Sequence, residues 1–276
     1  LLVLPLLPRF ERVKKLPDSI AASMTKALVI LILGFGPTLA NDAVKVPKEK
    51  WSFSGLFGTF DRGSVQRGLQ VYKEVCASCH SLKHVRYGKI EDLGFTKPEI
   101  KAFAKAFEVP GPLNDEGEAT KKPADASDTF ASPYPNNQAA RAANNGALPP
   151  DLSLMVKARP GGADYVYHLL MGYVDPPKGF KLAPGMHYNK YFPGFQIAMA
   201  KQLHTEGQVA YGDGTKPTVD QMARDVTAFL AWTAEPETEI RRRMGVMVII
   251  FLATFTLLMY FVMCKIWSRV RHTTQS

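Results

Sequence analysis

The stretch Cys76-Ala77-Ser78-Cys79-His80 determines how the rest of this chain can be interpreted. Two thiols separated by two residues, and followed at once by an imidazole, have the spacing that attaches a c-type haem. In this interpretation both sulfurs form thioethers to one porphyrin, and His80 ligates the iron from the proximal side. The motif therefore predicts a protein with one covalent haem c.

Two other kinds of site could use part of this motif. A redox-active dithiol needs no histidine after the second cysteine, and a zinc site needs a second pair of ligands at metal spacing. The third cysteine of the chain, Cys264, lies far away in an apolar segment. The sequence therefore favours haem over both alternatives.

The net charge of +9 is concentrated at the two ends of the chain. Residues 1–40 contribute +3 and residues 241–276 contribute +6, so the 200 residues between them are neutral. Basic residues that flank apolar segments are typical of membrane proteins. Nothing in this distribution indicates a nucleic-acid-binding surface.

Two apolar segments predict the relation of the chain to a membrane. Residues 24–40 have a basic start, a short apolar run and a small residue at Ala40, a pattern typical of a cleaved secretory signal. The run is shorter than the roughly 20 residues that a membrane-spanning helix needs. Residues 244–264 carry no charge over 21 positions and are long enough to span a bilayer. We therefore expect residues 41–240 in the periplasm, a transmembrane anchor at 244–264 and a cytoplasmic tail at 265–276.

The rest of the sequence predicts a mainly α fold, in which a c-type cytochrome domain with long irregular loops precedes the C-terminal transmembrane helix. Ser64 is expected to cap the helix that leads into Cys76, and Gly68 within it predicts a close helix crossing. Thr218 is expected to cap another helix, which runs to Trp232 with one apolar face. Shorter helices are predicted over 98–107 and 162–173, and little regular structure over 110–150 and 175–193.

The second axial ligand distinguishes an electron carrier from a haem enzyme, because a methionine closes the iron site whereas an open position binds small molecules. Met186 and Met199 lie in or just after segments rich in proline and glycine, where a side chain could reach the iron. Spacing does not choose between them. Met155, Met171 and Met222 fit core positions better. The remaining histidines are the bis-histidine alternatives: His84, His168, His187, His204 and His272.

Several motifs in one order resemble cytochrome c1. They are the haem helix 67–76 (RGLQVYKEVC), the stretches 143–153 (ANNGALPPDLS), 172–177 (GYVDPP) and 191–199, and the AEPE sequence at 234–237 before basic residues and a single membrane helix. The resemblance extends over roughly residues 44–272. It implies a membrane-anchored electron-transfer subunit of a quinol:cytochrome c reductase, which is not an enzyme on its own.

The resemblance also implies roles for individual residues. Met199 becomes the distal iron ligand, and Arg159 becomes the partner of a haem propionate. The wall of the haem pocket is formed by Asn144, Ala147, Pro149 and Pro150. The chain departs from the family pattern after Met199, where Ala200-Lys201-Gln202 replaces the proline that is common there.

The partners implied are cytochrome b, the iron–sulfur protein, cytochrome c as electron acceptor and membrane lipid, in a dimeric complex of the inner (plasma) membrane. Residues 1–23 resemble the carboxyl end of bacterial cytochrome b, so the chain is interpreted as the c1 part of a fused cytochrome b/c1 precursor. An acidic cluster is a candidate docking surface for a basic cytochrome c: Asp115, Glu116, Glu118, Asp125 and Asp128. The rival functions are a haem peroxidase or oxidase subunit, and a membrane-anchored binding module without haem.

Overall fold

The structure is a computed structural model that describes residues 44–273, so the predicted segments 1–23 and 24–40 lie outside the described residues. Seven α-helices within this range make the fold mainly helical. They are α1 (Arg62–Val71), α2 (Lys97–Lys105), α3 (Asn137–Ala143), α4 (Met155–Ala158), α5 (Gly162–Met171), α6 (Val219–Ala234) and α7 (Thr238–Thr273). The structure also contains two small antiparallel sheets. In one, β1 (Glu108–Leu113) pairs with β2 (Ala119–Pro123), and in the other, β3 (His187–Tyr188) pairs with β4 (Gln196–Ile197).

The central contact of the fold is the crossing of α1 and α6 at Gly68. A Cβ atom added at Gly68 would lie 2.0 Å from the backbone oxygen of Asp225 and 2.7 Å from Cβ of Phe229. Only glycine allows two backbones to approach this closely. The close helix crossing predicted from Gly68 is confirmed.

The prediction that Ser64 caps α1 is wrong. Asp61 is the N-cap, and its Oδ1 accepts hydrogen bonds from the amides of Gly63 and Ser64 at 3.0 and 3.4 Å. The Ser64 hydroxyl instead donates to the fully buried carboxylate of Asp225, which also accepts from Arg67. Ser64 therefore joins α1 to α6, because the partner that it meets comes from a helix distant in sequence.

The helix predicted to begin at Thr218 is confirmed. The Thr218 hydroxyl accepts a hydrogen bond from the amide of Gln221, and α6 runs from Val219 to Ala234. The four side chains of the predicted apolar face are all buried: Met222, Val226, Phe229 and Leu230. Trp232 is buried as well, so α6 lies inside the core and is covered on more than one face.

The expectation of little regular structure over 110–150 is partly wrong. The β1–β2 hairpin and α3 both fall within or across this range. The hairpin turn forms because the Asn114 side chain accepts from the amides of Glu116 and Glu118, and Gly117 adopts φ +79°. The helix predicted over 98–107 is found as α2, and a capping box between Thr96 and Glu99 begins it.

The last helix agrees with the predicted membrane anchor. α7 contains a 31-residue segment, Thr238–Ser268, with a mean hydropathy of 2.6 in its most apolar window, and that window has no side chains buried inside the protein. An apolar helix of this length with fully exposed side chains is suited to lipid rather than to water. The helix begins about two turns before the uncharged run at Met244, and its first turns are hydrogen-bonded to Phe53 and Phe60 in the segment before α1.

Candidate functional site

The Cys76–His80 segment lies at the C-terminal end of a continuous helical segment that begins with α1. α1 passes directly into a π-helical turn, Tyr72–Cys76, which ends with the Ala77 amide donating to the Tyr72 carbonyl at 2.8 Å. The amides of Cys79 and His80 then donate to the Cys76 carbonyl at 3.1 and 2.9 Å. A π-turn inserted in an α-helix is common at functional sites. Here it delivers both thiols and the imidazole on one tight turn.

Both thiols of the motif are free and half-buried. Burial, with the neighbouring Cys79, raises the pKa of Cys76 to about 12. Redox-active dithiols depend on a lowered thiol pKa, because the thiolate is the reactive form. The raised pKa of Cys76 is the opposite of what the attacking thiol of a redox dithiol needs.

The imidazole of His80 is oriented by a backbone carbonyl. Its Nδ1 lies 2.7 Å from the oxygen of Pro150. A carbonyl only accepts hydrogen bonds, so Nδ1 carries the proton and Nε2 keeps a free lone pair. Burial lowers the pKa of His80 despite this hydrogen bond, which keeps the ring neutral and able to bind a metal. The Tyr72 hydroxyl donates to the His80 carbonyl at 2.9 Å and fixes the backbone as well.

Asp151 is the residue that holds Pro150 above His80, and its role was not predicted from the sequence. Its Oδ2 accepts from the Ser81 hydroxyl and from the Lys83 amide, both at 2.8 Å, and its Oδ1 accepts from the Ser153 amide at 2.9 Å. Burial alone would raise the pKa of Asp151, but these hydrogen bonds outweigh it and lower the pKa. Asp151 belongs to the stretch 143–153 that resembles cytochrome c1, yet no local pattern indicates that it accepts from Ser81 and Lys83.

Two of the four residues predicted to form the pocket wall lie close to the Cys76–His80 segment. Pro150 contacts His80, and the Asn144 side chain donates to the Tyr134 hydroxyl at 3.0 Å, which itself lies 3.9 Å from Sγ of Cys79. Ala147 and Pro149 lie between these two positions in the same loop and are half-buried. Tyr134, which the sequence did not single out, therefore lies next to the motif as well.

Met199, the distal ligand implied by the resemblance, is held by a different part of the chain from the Cys76–His80 segment. Its backbone carbonyl accepts a hydrogen bond from the Tyr173 hydroxyl at 2.9 Å, and Tyr173 pairs with the buried Asn189 in a β-bridge. Within residues 44–273, no hydrogen bond connects Met199 to the Cys76–His80 segment. Met186, the alternative ligand, is half-buried in the preceding loop.

The segment after Met199 replaces the usual proline by hydrogen bonds of its own. The Gln202 side chain donates to the Ala200 carbonyl at 3.0 Å, and the Gln208 side chain donates to the Gln202 carbonyl at 2.9 Å. The segment after Met199, which lacks the proline of the family pattern, is thus held by two glutamine side chains.

Arg159 lies exposed at the end of α4. It makes no ion pair with any residue in the described part of the chain. Its charge opposes the burial that raises the pKa of Tyr165, which places the guanidinium close to that phenol. A guanidinium in this position is available to a carboxylate of a bound group.

The donor set agrees with haem c and disagrees with zinc. Two free thiols stand next to a neutral imidazole that has one nitrogen occupied and the other available, as covalent haem attachment requires. Over residues 44–273, no group of three or more histidine, cysteine or acidic side chains is placed to hold a metal ion. A structural zinc site needs four such ligands.

Comparisons with known proteins give the same result. The model of the Cytochrome C1 family matches residues 51–270. The chain is 44% identical to Cytochrome b/c1 of Bradyrhizobium diazoefficiens over 97% of its own length, but spans only 44% of that protein. It is 48% identical to mitochondrial Cytochrome c1, heme protein, of Saccharomyces cerevisiae, with 85% of this chain and 76% of the relative covered. The Candida albicans protein named Cytochrome b-c1 complex catalytic subunit, mitochondrial, is 44% identical, with 85% and 82% covered.

Proposed function

Because this chain belongs to the cytochrome c1 family, we propose that it takes an electron from the iron–sulfur protein of a quinol:cytochrome c reductase and passes it to a cytochrome c. Its cofactor is haem c, bound covalently through Cys76 and Cys79, and it is an electron-transfer component of a cytochrome bc1 complex. The observation that carries the proposal is the His80 imidazole, held neutral with Nε2 free beside two free thiols.

The bound haem supplies a one-electron iron couple, and the surrounding residues set its ligation. The Pro150 carbonyl fixes the His80 tautomer and ring orientation, a contact that raises the basicity of the ligand nitrogen. We propose Met199 as the distal ligand, supported by the hydrogen bond from Tyr173 that holds its backbone. Arg159 is proposed to bind a propionate, supported by its exposed guanidinium without an ion pair among residues 44–273.

Replacement of Met199 by leucine in the haem-loaded full chain tests the ligand proposal. Loss of the thioether removes a ligand that raises the reduction potential, so the potential is expected to fall. The long-wavelength absorption band that methionine sulfur gives to ferric haem should disappear. Met186→Leu is the matched control, and it should leave both the band and the potential unchanged.

Two results would contradict this assignment. If Met199→Leu keeps the band and potential while Met186→Leu loses them, Met186 is the ligand. If the unmodified protein lacks the band and binds carbon monoxide readily, the sixth position is open and a peroxidase or oxidase function is favoured. A pyridine haemochrome assay on the same sample checks that haem is attached.

We propose that the acidic cluster contributes to docking of a basic cytochrome c. Asp115 and Glu116 are exposed at the turn of the β1–β2 hairpin, which supports this role. Asp128 supports it less, because its carboxylate is paired with Lys122 at 2.9 Å. Salt screens interactions between exposed charges, so raised ionic strength should slow electron transfer to a basic cytochrome c. A rate that does not change with salt would contradict docking by charge.

We also propose that residues 24–40 are removed as a signal, that residues 41–240 are periplasmic and that α7 anchors the protein in the inner membrane, in a dimeric complex with cytochrome b. The match to the Bradyrhizobium cytochrome b/c1 over 97% of this chain supports a b/c1 origin for residues 1–23. N-terminal sequencing of the mature protein is expected to begin near Asn41. A start near Leu1 would contradict removal of the signal.

A further inference from the structure

A short loop before α1 exposes the most accessible large apolar side chain in the described part of the chain. Phe57 is 80% exposed and its neighbour Leu56 is 59% exposed. Phe57 exceeds Phe251 of the membrane-spanning part of α7, which is 65% exposed, and Leu56 exceeds Leu252 of the same helix, which is 52% exposed. Adjacent exposed aromatic and leucine side chains mark a candidate interaction site, because contact between apolar surface and water is unfavourable.

The loop is built to present these two side chains. The Thr59 amide donates to the Ser52 carbonyl at 3.1 Å and closes the loop, and Gly55 makes the turn with φ +80°. The two sides of the loop also approach each other closely at Gly58, because a Cβ atom added there would lie 2.1 Å from the Ser54 carbonyl oxygen. The other aromatic residues of this segment, Trp51, Phe53 and Phe60, stack on one another at the base of the loop.

The same loop is fastened to the start of the membrane anchor. The Arg242 guanidinium donates to the carbonyls of Phe53 and Gly58 at 2.7 and 3.1 Å. One turn earlier, the Glu239 carboxylate accepts from the Phe60 amide at 2.7 Å and pairs with Arg62 at 3.0 Å. Both ends of the loop are therefore bound to α7.

These contacts place the loop beside the point on α7 at which the charged residues end and the uncharged run begins. Arg242 precedes Met244, the first residue of the uncharged run, by two positions, or about 3 Å along a helix axis. Phe57 is one residue from Gly58, whose carbonyl is bound to Arg242. Residues 54–60 carry no charge, and Arg242, the middle one of three consecutive arginines at 241–243, is hydrogen-bonded to the loop.

We propose that Leu56 and Phe57 insert into the headgroup–acyl boundary of the phospholipid bilayer, as a second membrane contact of the extramembrane domain. Phenylalanine and leucine side chains bury at the headgroup–acyl boundary in segments that lie on a membrane surface, and nearby arginine charge attracts anionic headgroups. A protein partner fits less well, because a stable interface needs about 800 Å² from each side and an aromatic side chain supplies about 150–250 Å². The proposal depends on α7 spanning the membrane and is independent of the electron-transfer function.

Spin labelling of the haem-loaded full chain in vesicles of phosphatidylcholine and phosphatidylglycerol tests this contact. Cys264 is exposed and is first replaced by serine, so that one new cysteine carries the label. The test position is Phe57→Cys. Phe251→Cys in the anchor is the lipid control, and Glu116→Cys in the charged hairpin turn is the water control. The haem spectrum of each variant reports that it is folded.

The measurement compares collisions of the label with oxygen, which concentrates in lipid, and with a water-soluble nickel complex. We expect position 57 to follow position 251, with oxygen collisions dominant, and position 116 to show the opposite order. A label at position 57 that behaves like the label at 116 would overturn the proposal. Protection from both reagents would also overturn it, because it would show that protein, here a second copy of the chain, covers the loop.

Discussion

Replacement of Gly68 by alanine changes the contact on which the position of the Cys76–His80 segment depends. The new Cβ would lie 2.0 Å from the Asp225 backbone oxygen and 2.6 Å from the Asp225 carbonyl carbon. Neither atom can move aside by a side-chain rotation, because both belong to the backbone of α6. The two helices must therefore separate.

Two opposing effects set the magnitude. Alanine is favoured over glycine in a helix interior by about 1 kcal/mol. Overpacking of a well-packed contact costs about 3 kcal/mol at the upper end of its usual range, which suits a clash with backbone. The expected net loss in free energy of unfolding is about 2 kcal/mol, the difference between these two terms.

Gly63→Ala is the matched control, because Gly63 lies in the same helix and its added Cβ would meet no atom closer than 3.5 Å. Here only the gain in helix propensity remains, so the variant should be as stable as the parent or more stable by up to about 1 kcal/mol. Denaturant unfolding of the haem-loaded protein, followed by near-ultraviolet circular dichroism at constant detergent, measures both variants. Equal stability of Gly68→Ala and Gly63→Ala would refute the close crossing as the cause.

Three further predictions concern the residues that hold the site. Asp151→Ala removes three accepted hydrogen bonds, each of net value about 1 kcal/mol, so unfolding measurements should show a loss of about 3 kcal/mol. A loss below about 1 kcal/mol would contradict a stabilising role of these hydrogen bonds. Because the folded-state pKa of Asp151 is lowered, the ionised carboxylate stabilises the protein fully above its unfolded pKa of about 3.9, and this stabilisation is lost as pH falls through the folded pKa. The free energies of unfolding of the parent and of Asp151→Ala should therefore converge on acidification. A constant difference down to about pH 2 would contradict this. Tyr173→Phe removes the hydrogen bond to Met199, so the methionine-to-iron absorption band should weaken while the protein loses about 1 kcal/mol of stability; the same loss with an unchanged band would limit Tyr173 to a structural role.

Local sequence was sufficient for the features that depend on neighbouring residues. The spacing of Cys76, Cys79 and His80 predicts covalent haem because the chemistry uses residues within one turn of chain. Thr218 caps α6 through an amide three residues away, and the uncharged run of α7 is a property of one segment. Gly68 predicts a close crossing because no other residue permits one.

The tertiary structure alone decided which distant groups these residues meet. Ser64 has the properties of an N-cap, but it donates to Asp225, 161 residues away in the sequence. Asp151 accepts from the Lys83 amide and the Ser81 hydroxyl, and Arg242 donates to the carbonyls of Phe53 and Gly58. Such contacts follow from how helices and loops pack. A carboxylate can accept from many donors and a guanidinium can donate to many acceptors, so the neighbouring residues in the sequence do not specify the partner. The sequence of this protein thus determined what chemistry the site performs, and the packing determined which side chains hold it in place.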